Sequence, residues 1–356
     1  MIVLGIESSC DETAAALVKD GKTILSSVVA SQISVHADFG GVVPELASRE
    51  HVENICFVTE QCLMEASLTW TQVEALAVTQ GPGLMGALLV GMTYAKSLAY
   101  ALKIPFVGIN HLEGHICSIF LDHPQAELPA LSLVVSGGHT SLFYLKKLGD
   151  YQEISRTRDD AAGEALDKLS KYLGLGYPGG PVIDRLAPQG DPKAVPFSIP
   201  KISDGSLDFS FSGIKTAALR YITEHNISRL DGEASEPPQK VPQEILDLVA
   251  SYQSSIIDQL LHRLKQSLKG REVRSIQISG GVSCNSELRR RATEAFQQQD
   301  LAVYYPRSEL TTDNAAMIAA AAARIRPGAS DPWSLTADPK LALRTTRSAQ
   351  KIENRK

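Results

Sequence analysis

One design is written twice in this chain. Near the start, the apolar run 2–7 passes through Ser8, Ser9, Cys10, Asp11 and Glu12 into the small and apolar 14–18, then through Asp20 and Gly21 into 23–29. Much later, 131–135 passes through Ser136, Gly137, Gly138, His139 and Thr140 into 142–145, and a third strand-like stretch follows Gly149 and Asp150. Each set reads as three antiparallel strands joined by tight turns. The first is followed by an amphipathic helix over 43–68, a strand at 75–79, a Gly-interrupted helix from Leu84, a strand at 105–109 and a helix from His111. The second is followed by helical patterns at 163–173, 214–224 and 243–268, a strand at 273–279, a helix from Ser283, a strand at 302–305 and a helix over 313–326. Strands alternating with helices in both halves predict an α/β protein with mixed sheets, and internal duplication is the economical origin of the repeat.

At 356 residues the chain exceeds the size at which single cores stop growing, so two lobes are expected. The first is placed at 1–130 with a returning helix at 313–326, and the second at 131–312. Residues 226–242, polar and rich in proline, read as a mobile surface insertion, and 327–356 as a loosely held basic tail.

Composition excludes several classes. The opening MIVLGIESSCDE has no basic segment before its apolar run and soon reaches Asp11 and Glu12, unlike a signal or transit peptide. No apolar stretch is expected to span a membrane. Five scattered cysteines without a C-x-x-C pair argue against a disulfide framework or a structural zinc knuckle, and a reducing cytoplasm fits best. A formal charge of −5 leaves any nucleic-acid contact to local patches. The candidates are Arg289, Arg290 and Arg291, and the tail residues Lys340, Arg344, Arg347, Lys351, Arg355 and Lys356; the alternative for each is a solvated helix face or a frayed end.

Glycine-rich turns recur at strand ends: Gly81-Pro82-Gly83, Ser136-Gly137-Gly138, Gly179-Gly180-Pro181 and Ser279-Gly280-Gly281. Glycine lets backbone amides approach phosphate oxygens, and several such turns in a duplicated α/β chain favour a nucleotide cleft. Gly81, Gly83 and Gly86 match a dinucleotide fingerprint, but the next strand ends at Asn110, where that fingerprint needs a carboxylate for the ribose. A dehydrogenase is thereby disfavoured.

His111 and His115, four residues apart, lie on one helical face with the spacing that lets both imidazoles reach one metal ion. Zinc peptidases place their general base directly after the first histidine; Glu113 is two residues on, about 200° around the helix, and points away. Asp313 is either the third ligand or the N-cap of the helix it heads. Two imidazoles and a carboxylate with open positions suit Fe(II), or Zn(II). Asp11 and Glu12 are either solvated or, in a cleft, able to accept a proton from an attacking amine. Asp167 and Lys168 read as an ordinary exposed helical pair; Asp184 either binds ribose hydroxyls or faces water.

Taken together, GIESSCDET, GGVVPELASREH, TQGPGLMGALLVG, NHLEGH, VSGGHT, DDAAGEALDK, GYPGGP, FSFSGIKTA, SGGVSCN and TDNAAMIA resemble, in order from residue 2 to about residue 326, the universal tRNA adenosine threonylcarbamoyltransferase family. That resemblance implies the duplicated two-lobed fold of actin and Hsp70, with a nucleotide cleft between lobes. It implies a metal, iron favoured and zinc the alternative, on His111, His115 and Asp313. It implies substrate contacts from Val134, Val135, Ser136, Gly137 and Gly138, with Asp167, Gly180, Asp184 and Asn285 holding an adenosine. Asp11, Glu12 and His139 match the motifs and are the nominees for managing the amine proton. The implied donor is threonylcarbamoyl-adenylate and the acceptor tRNA. The implied partners are an inactive paralogous subunit, a P-loop ATPase and the synthase that makes the adenylate. A nucleotide-gated binding protein of the same fold, which needs no paired histidines, and a metallopeptidase are the competing classes.

Overall fold

The computed structural model describes residues 1–199, 202, 204–230 and 240–343. In the first half, β1 (Ile2–Glu7), β2 (Glu12–Lys19) and β3 (Thr23–Ser31) form the antiparallel meander, followed by α1 (Ile33–Ala37), α2 (Pro44–Glu65), β4 (Ala75–Gly81), α3 (Met85–Leu102), β5 (Phe106–Asn110) and α4 (His111–Asp122). In the second half, β6 (Ala130–Val135), β7 (Thr140–Lys147) and β8 (Asp150–Arg156) repeat it, followed by α5 (Ala162–Leu173), α6 (Gly179–Leu186), α7 (Ser212–Glu224), α8 (Gln243–Leu268), β9 (Ser275–Ser279), α9 (Ser286–Gln297), β10 (Ala302–Tyr304) and α10 (Ala315–Ile325).

The two sheets have the same topology. The first runs β3-β2-β1-β4-β5 and the second β8-β7-β6-β9-β10. In each, the first strand pairs antiparallel with the second and parallel with the fourth. Duplication is therefore visible in register as well as in sequence. Strands β1 and β6 are central and almost wholly buried, which is why both read as unbroken apolar runs.

Two helices cross where the lobes meet. Helix α4 leaves the first sheet and packs on β6 and β9 of the second; α10 leaves the second sheet and returns to β1, β2 and α4. The seat of α10 is narrow, because the place of a Cβ on Gly5 would lie 2.2 Å from the Ala315 carbonyl oxygen. Both histidines and Asp313 stand at the starts of these crossing helices.

Several expectations are corrected. By length and composition α3 is apolar enough to cross a membrane, but its Ala87, Leu88, Met92, Ala95 and Ala99 face is buried, and it packs on β4 and α2. Residues 327–343 are not a loose tail. Trp333 stacks on Phe106 at 5.1 Å, Asp331 accepts from the Gly108 amide and pairs with Arg326, and Lys96 donates to the Trp333 and Leu335 carbonyls. This strap then passes Gly81, whose φ of +152° and 1.8 Å clearance to the Asp338 carbonyl admit only glycine. The Gly81 turn thus serves close packing against the strap. The insertion expected at 226–242 is held at its near end, since Ile227 is buried and the Leu230 amide donates to Leu173; residues 231–239, like Arg344, Arg347, Lys351, Arg355 and Lys356, lie outside the described residues. The Arg289–Arg291 run is spent internally: Arg289 on the Ser283 and Pro306 carbonyls, Arg290 on Glu287 and Glu294, Arg291 on Asp258.

Candidate metal centre

Asn110 starts the site. It ends β5, its side-chain oxygen accepts the Leu112 amide at 2.9 Å as the N-cap of α4, and its Nδ2 donates to the Leu341 carbonyl of the strap. The cap places His111 and His115 one turn apart and buried, their rings edge to face with centroids 4.7 Å apart. Asp313 comes from the other crossing helix, its Oδ1 3.5 Å from His111 Nε2 and 3.2 Å from His115 Nε2. It is not the N-cap. Asn314 is, accepting the Met317 amide at 3.0 Å, and this leaves the Asp313 carboxylate to face the imidazoles.

Glu7 was not anticipated as a site residue. At the buried end of β1, its Oε2 accepts from Thr79 Oγ1 at 2.6 Å and lies 3.2 Å from His111 Nδ1, while Oε1 accepts the Ser9 amide at 2.6 Å. Held this way, His111 directs Nδ1 at Glu7 and Nε2 at Asp313; with a metal bound, the Nδ1 proton would stay on the Glu7 side and the Nε2 lone pair would be free to ligate, the arrangement in which a carboxylate orients a metal-binding histidine. The available signal was a lone carboxylate closing the apolar run IVLGIE.

The fit to a metal rests on the donors. One ligand atom from each of His111, His115 and Asp313 lies within 4.8 Å of the others; Nδ1 of buried His115 lacks a hydrogen-bond partner, and its Nε2 meets only Asp313 Oδ1, at 3.2 Å and out of line for a hydrogen bond. A buried imidazole so poorly satisfied is costly unless something else bonds it. Burial opposes charge on His111, yet Asp313 and Glu7 together raise its pKa to about 9, so the site favours a cation. Burial also raises Asp313, but the His111 and His115 rings outweigh it and hold the carboxylate below its ordinary range. Glu113 is buried and points away from these donors toward Tyr151, and burial raises it to about 7. Glu7→Gln is expected to weaken metal binding roughly 10- to 100-fold while leaving the fold intact; equilibrium dialysis of the metal-free protein against Fe(II) or Zn(II) measures it.

Both meander turns border this centre, the first through Ser9, whose Oγ lies 3.2 Å from His111 Nδ1, and the second through His139. The His139 ring lies 5.9 Å from that of His111, and burial, with the neighbouring His111 and His115, lowers its pKa to about 4, so it is a neutral base at physiological pH. The Ser136–Gly138 turn is pinned by Ser136 N to His139 O at 2.8 Å and His139 N to Ser136 Oγ at 3.1 Å. Gly137 and Gly138 are exposed with nothing beside their Cα atoms, whereas Val134 and Val135 are fully buried in β6 beneath them. From the first lobe, partial burial raises Glu12 well above the carboxylate range, and the charges of Asp11 and Asp313 add to the rise.

The adenosine-binding nominees sit deeper in the second lobe. Asp167 accepts the Gly179 amide at 2.7 Å and is bonded by the Gly180 amide, at the N-terminus of α6. Burial raises its pKa to about 6 despite those amides, and the Asp11 charge across the lobes adds to the rise. Lys168 pairs with Asp160 and Glu164 instead, so no Asp167–Lys168 pair forms. Asp184 accepts both the Ser286 amide, at 2.9 Å, and its hydroxyl, at 2.9 Å. Asn285 caps α9 through Leu288 N and donates to buried Gln253 at 2.8 Å. The structure thus gathers the His111, His115 and Asp313 set with His139, Asp11 and Glu12, while Asp184 and Asn285 meet at the start of α9.

Comparison with known proteins bears on the fold and the family. A solved structure, component A of (R)-2-hydroxyglutaryl-CoA dehydratase from Acidaminococcus fermentans, superposes with a TM-score of 0.52 over 91% of this chain and 98% of its own at 14% identity, which shows the shared actin and Hsp70 type of fold. Among curated proteins, the tRNA N6-adenosine threonylcarbamoyltransferases of Geobacter sp. (strain M21) and Moorella thermoacetica are 49% and 50% identical, each over 90% of both chains. A family model described as tRNA N6-adenosine threonylcarbamoyltransferase matches residues 23–320. With its motifs, its duplicated sheets and the clustered histidines all in place, the chain belongs to the tRNA N6-adenosine threonylcarbamoyltransferase family.

Proposed function

We propose that the chain moves the threonylcarbamoyl group of threonylcarbamoyl-adenylate onto N6 of the adenosine just 3′ of the anticodon in tRNAs reading ANN codons, with release of AMP. The observation that carries the reading is the meeting of His111, His115 and Asp313 with the open Ser136–Gly138 turn at the lobe crossing. His111, His115 and Asp313 would hold one divalent ion, Fe(II) favoured and Zn(II) the alternative, which when bound would polarise donor oxygens and offset charge growing in the transition state. The exposed Gly137 and Gly138 leave room for donor oxygens at the backbone, over a floor of Val134 and Val135. The amine attacks the carbamoyl carbon, the carbon–oxygen bond to phosphate breaks, and the departing phosphate oxygen keeps the electron pair. The amine proton passes to neutral His139 or to the Asp11 and Glu12 turn. Asp167 and Gly180 at the start of α6, and Asp184 and Asn285 at the start of α9, hold the adenosine; each carboxylate oxygen retains lone-pair capacity for a ribose hydroxyl.

The chain is read as two lobes, 1–130 with 313–326 and 131–312, working in the cytoplasm. An inactive paralogous subunit docks on the α2 and α3 surface, where Val52, Phe57, Met64, Met85 and Leu89 stand exposed. A P-loop ATPase and a threonylcarbamoyl-adenylate synthase complete the set of partners. Transfer of label from radiolabelled threonylcarbamoyl-adenylate to unmodified tRNA, with the paralogue present, tests the reading. Metal-dependent labelling by wild type and none by His111→Ala supports it. No transfer by metal-replete wild type with a competent donor returns the chain to a nucleotide-gated binding protein.

The tail carries a separate expectation. Truncation after Leu343 spares the docked strap but removes Arg344, Arg347, Lys351, Arg355 and Lys356 against Glu353. Affinity for tRNA should fall several-fold in roughly 50 mM salt and converge with wild type as salt rises. Filter binding across a salt series reads this, and superimposed curves would remove the tail from the RNA interface.

A further inference from the structure

The motif GGVVPELASREH contributes no donor to the metal centre, yet its last residue, His51, belongs to a buried polar chain. Between β3 and α2 lies a flap, residues 38–43, that reaches from the first lobe to the second. Lys171 of α5 donates to the Phe39 carbonyl at 2.6 Å, and its side chain lies against Gly40. At the flap base the Val43 amide donates to His36 Nδ1 at 3.4 Å, and His36 Nε2 donates to Gln32 Oε1 at 3.2 Å. Gln32 Nε2 reaches His51 Nδ1 at 3.3 Å, sharing its single lone pair with the closer Thr13 hydroxyl, and the Ala47 carbonyl at 3.4 Å, while His51 Nε2 donates to the Cys10 carbonyl at 3.0 Å. His36, Gln32 and His51 are almost completely buried.

The chain ends at the turn that carries Asp11 and Glu12. His51 holds the Cys10 carbonyl and accepts from Thr13 Oγ1 at 2.7 Å, while the Gln32 amide holds the Asp11 carbonyl at 3.0 Å. Two carbonyls and one hydroxyl of a four-residue turn are thereby fixed from below. Nothing in packing alone calls for this: an apolar residue at 51 would fill the space without a desolvation cost, whereas a buried imidazole is tolerated because both of its nitrogens are bonded.

We infer that the His36–Gln32–His51 chain couples the flap, latched to the second lobe by Lys171, to the Asp11–Glu12 turn, with His51 the positioning residue that sets the turn for transfer. The inference rests on the transferase reading above. Closing the flap over bound donor and aligning the carboxylates are then one motion, because Val43 and Cys10 are the two ends of a single hydrogen-bonded path. A misplacement of reacting groups by about 1 Å costs on the order of 100-fold in rate, so small slips at the turn are felt in the chemical step.

Steady-state transfer by the reconstituted enzyme tests it, with donor KM, kcat and metal content measured for His51→Ala, His51→Gln, Lys171→Met and His51→Ala/Lys171→Met. His51→Ala is expected to lower kcat about 100-fold with donor KM within about 3-fold and metal content unchanged. His51→Gln, whose amide also donates and accepts, is expected to recover about 10-fold of that loss. The double variant should be no slower than about 3-fold below His51→Ala, since residues on one path are not additive. Losses that multiply, or a glutamine no better than alanine, would overturn the coupling. Inactive wild type would instead overturn the transferase reading, so the two failures are distinguishable.

Discussion

If His111, His115 and Asp313 ligate a metal as proposed, Asp313→Ala is expected to reduce bound metal to a trace and to slow transfer roughly 1,000-fold. Removal of the carboxylate leaves His111 and His115 buried and near each other without the charge that meets both Nε2 atoms, Glu7 remaining only on the Nδ1 side of His111. Asn314→Ala is the informative control. It removes the α10 cap and costs about 1 kcal/mol of stability, but keeps every metal donor. Metal analysis by mass spectrometry, with the labelled transfer assay on the same samples, separates the two variants. Equal metal loss in both would mean that Asp313 acts by holding the helix start and not by ligation.

Gly5→Val is expected to destabilise the protein by about 4 kcal/mol, a large fraction of the net stability of an ordinary domain. The added Cβ would lie 2.2 Å from the Ala315 carbonyl and 3.0 Å from the Ala319 Cβ, both in the helix laid across β1. Neither backbone can yield alone, since β1 is hydrogen-bonded on both sides and α10 packs against β1, β2 and α4. The relief open to the structure is to lift α10, and that carries Asp313 away from the histidines. The melting temperature and the metal stoichiometry should therefore fall together. Gly137→Ala is the stability control, because its added methyl meets nothing within 4 Å and the melting temperature should not move.

Much of the fold was legible because its signals are local. The six meander strands, the β4 and β5 pair, α4 and α8 follow from apolar periodicity and turn residues, with ends shifted by one or two positions. Helix α6 was missed, since Gly179, Gly180 and Pro181 read as a turn while in fact they open a helix whose first amides bond to Asp167. The strap was misread for the opposite reason: residues 327–343 have no periodicity of their own, and their order comes from Phe106, Gly108, Gln80 and Asn110. The Arg289–Arg291 run was ambiguous because charge in a sequence carries no record of its partners.

The sequence by itself determined the duplication, the α/β class and the pairing of His111 with His115, since strand and helix periods and a four-residue spacing on one helix are properties of neighbouring residues. Tertiary structure alone decided that Asp313 faces those histidines and leaves the capping to Asn314, that Glu7 orients His111 from the far end of β1, and that His51 reaches the Asp11 turn. The Asp313, Glu7 and His51 contacts join residues separated by dozens to hundreds of positions. Their geometry depends on how two helices cross between two sheets, and no local pattern encodes that crossing.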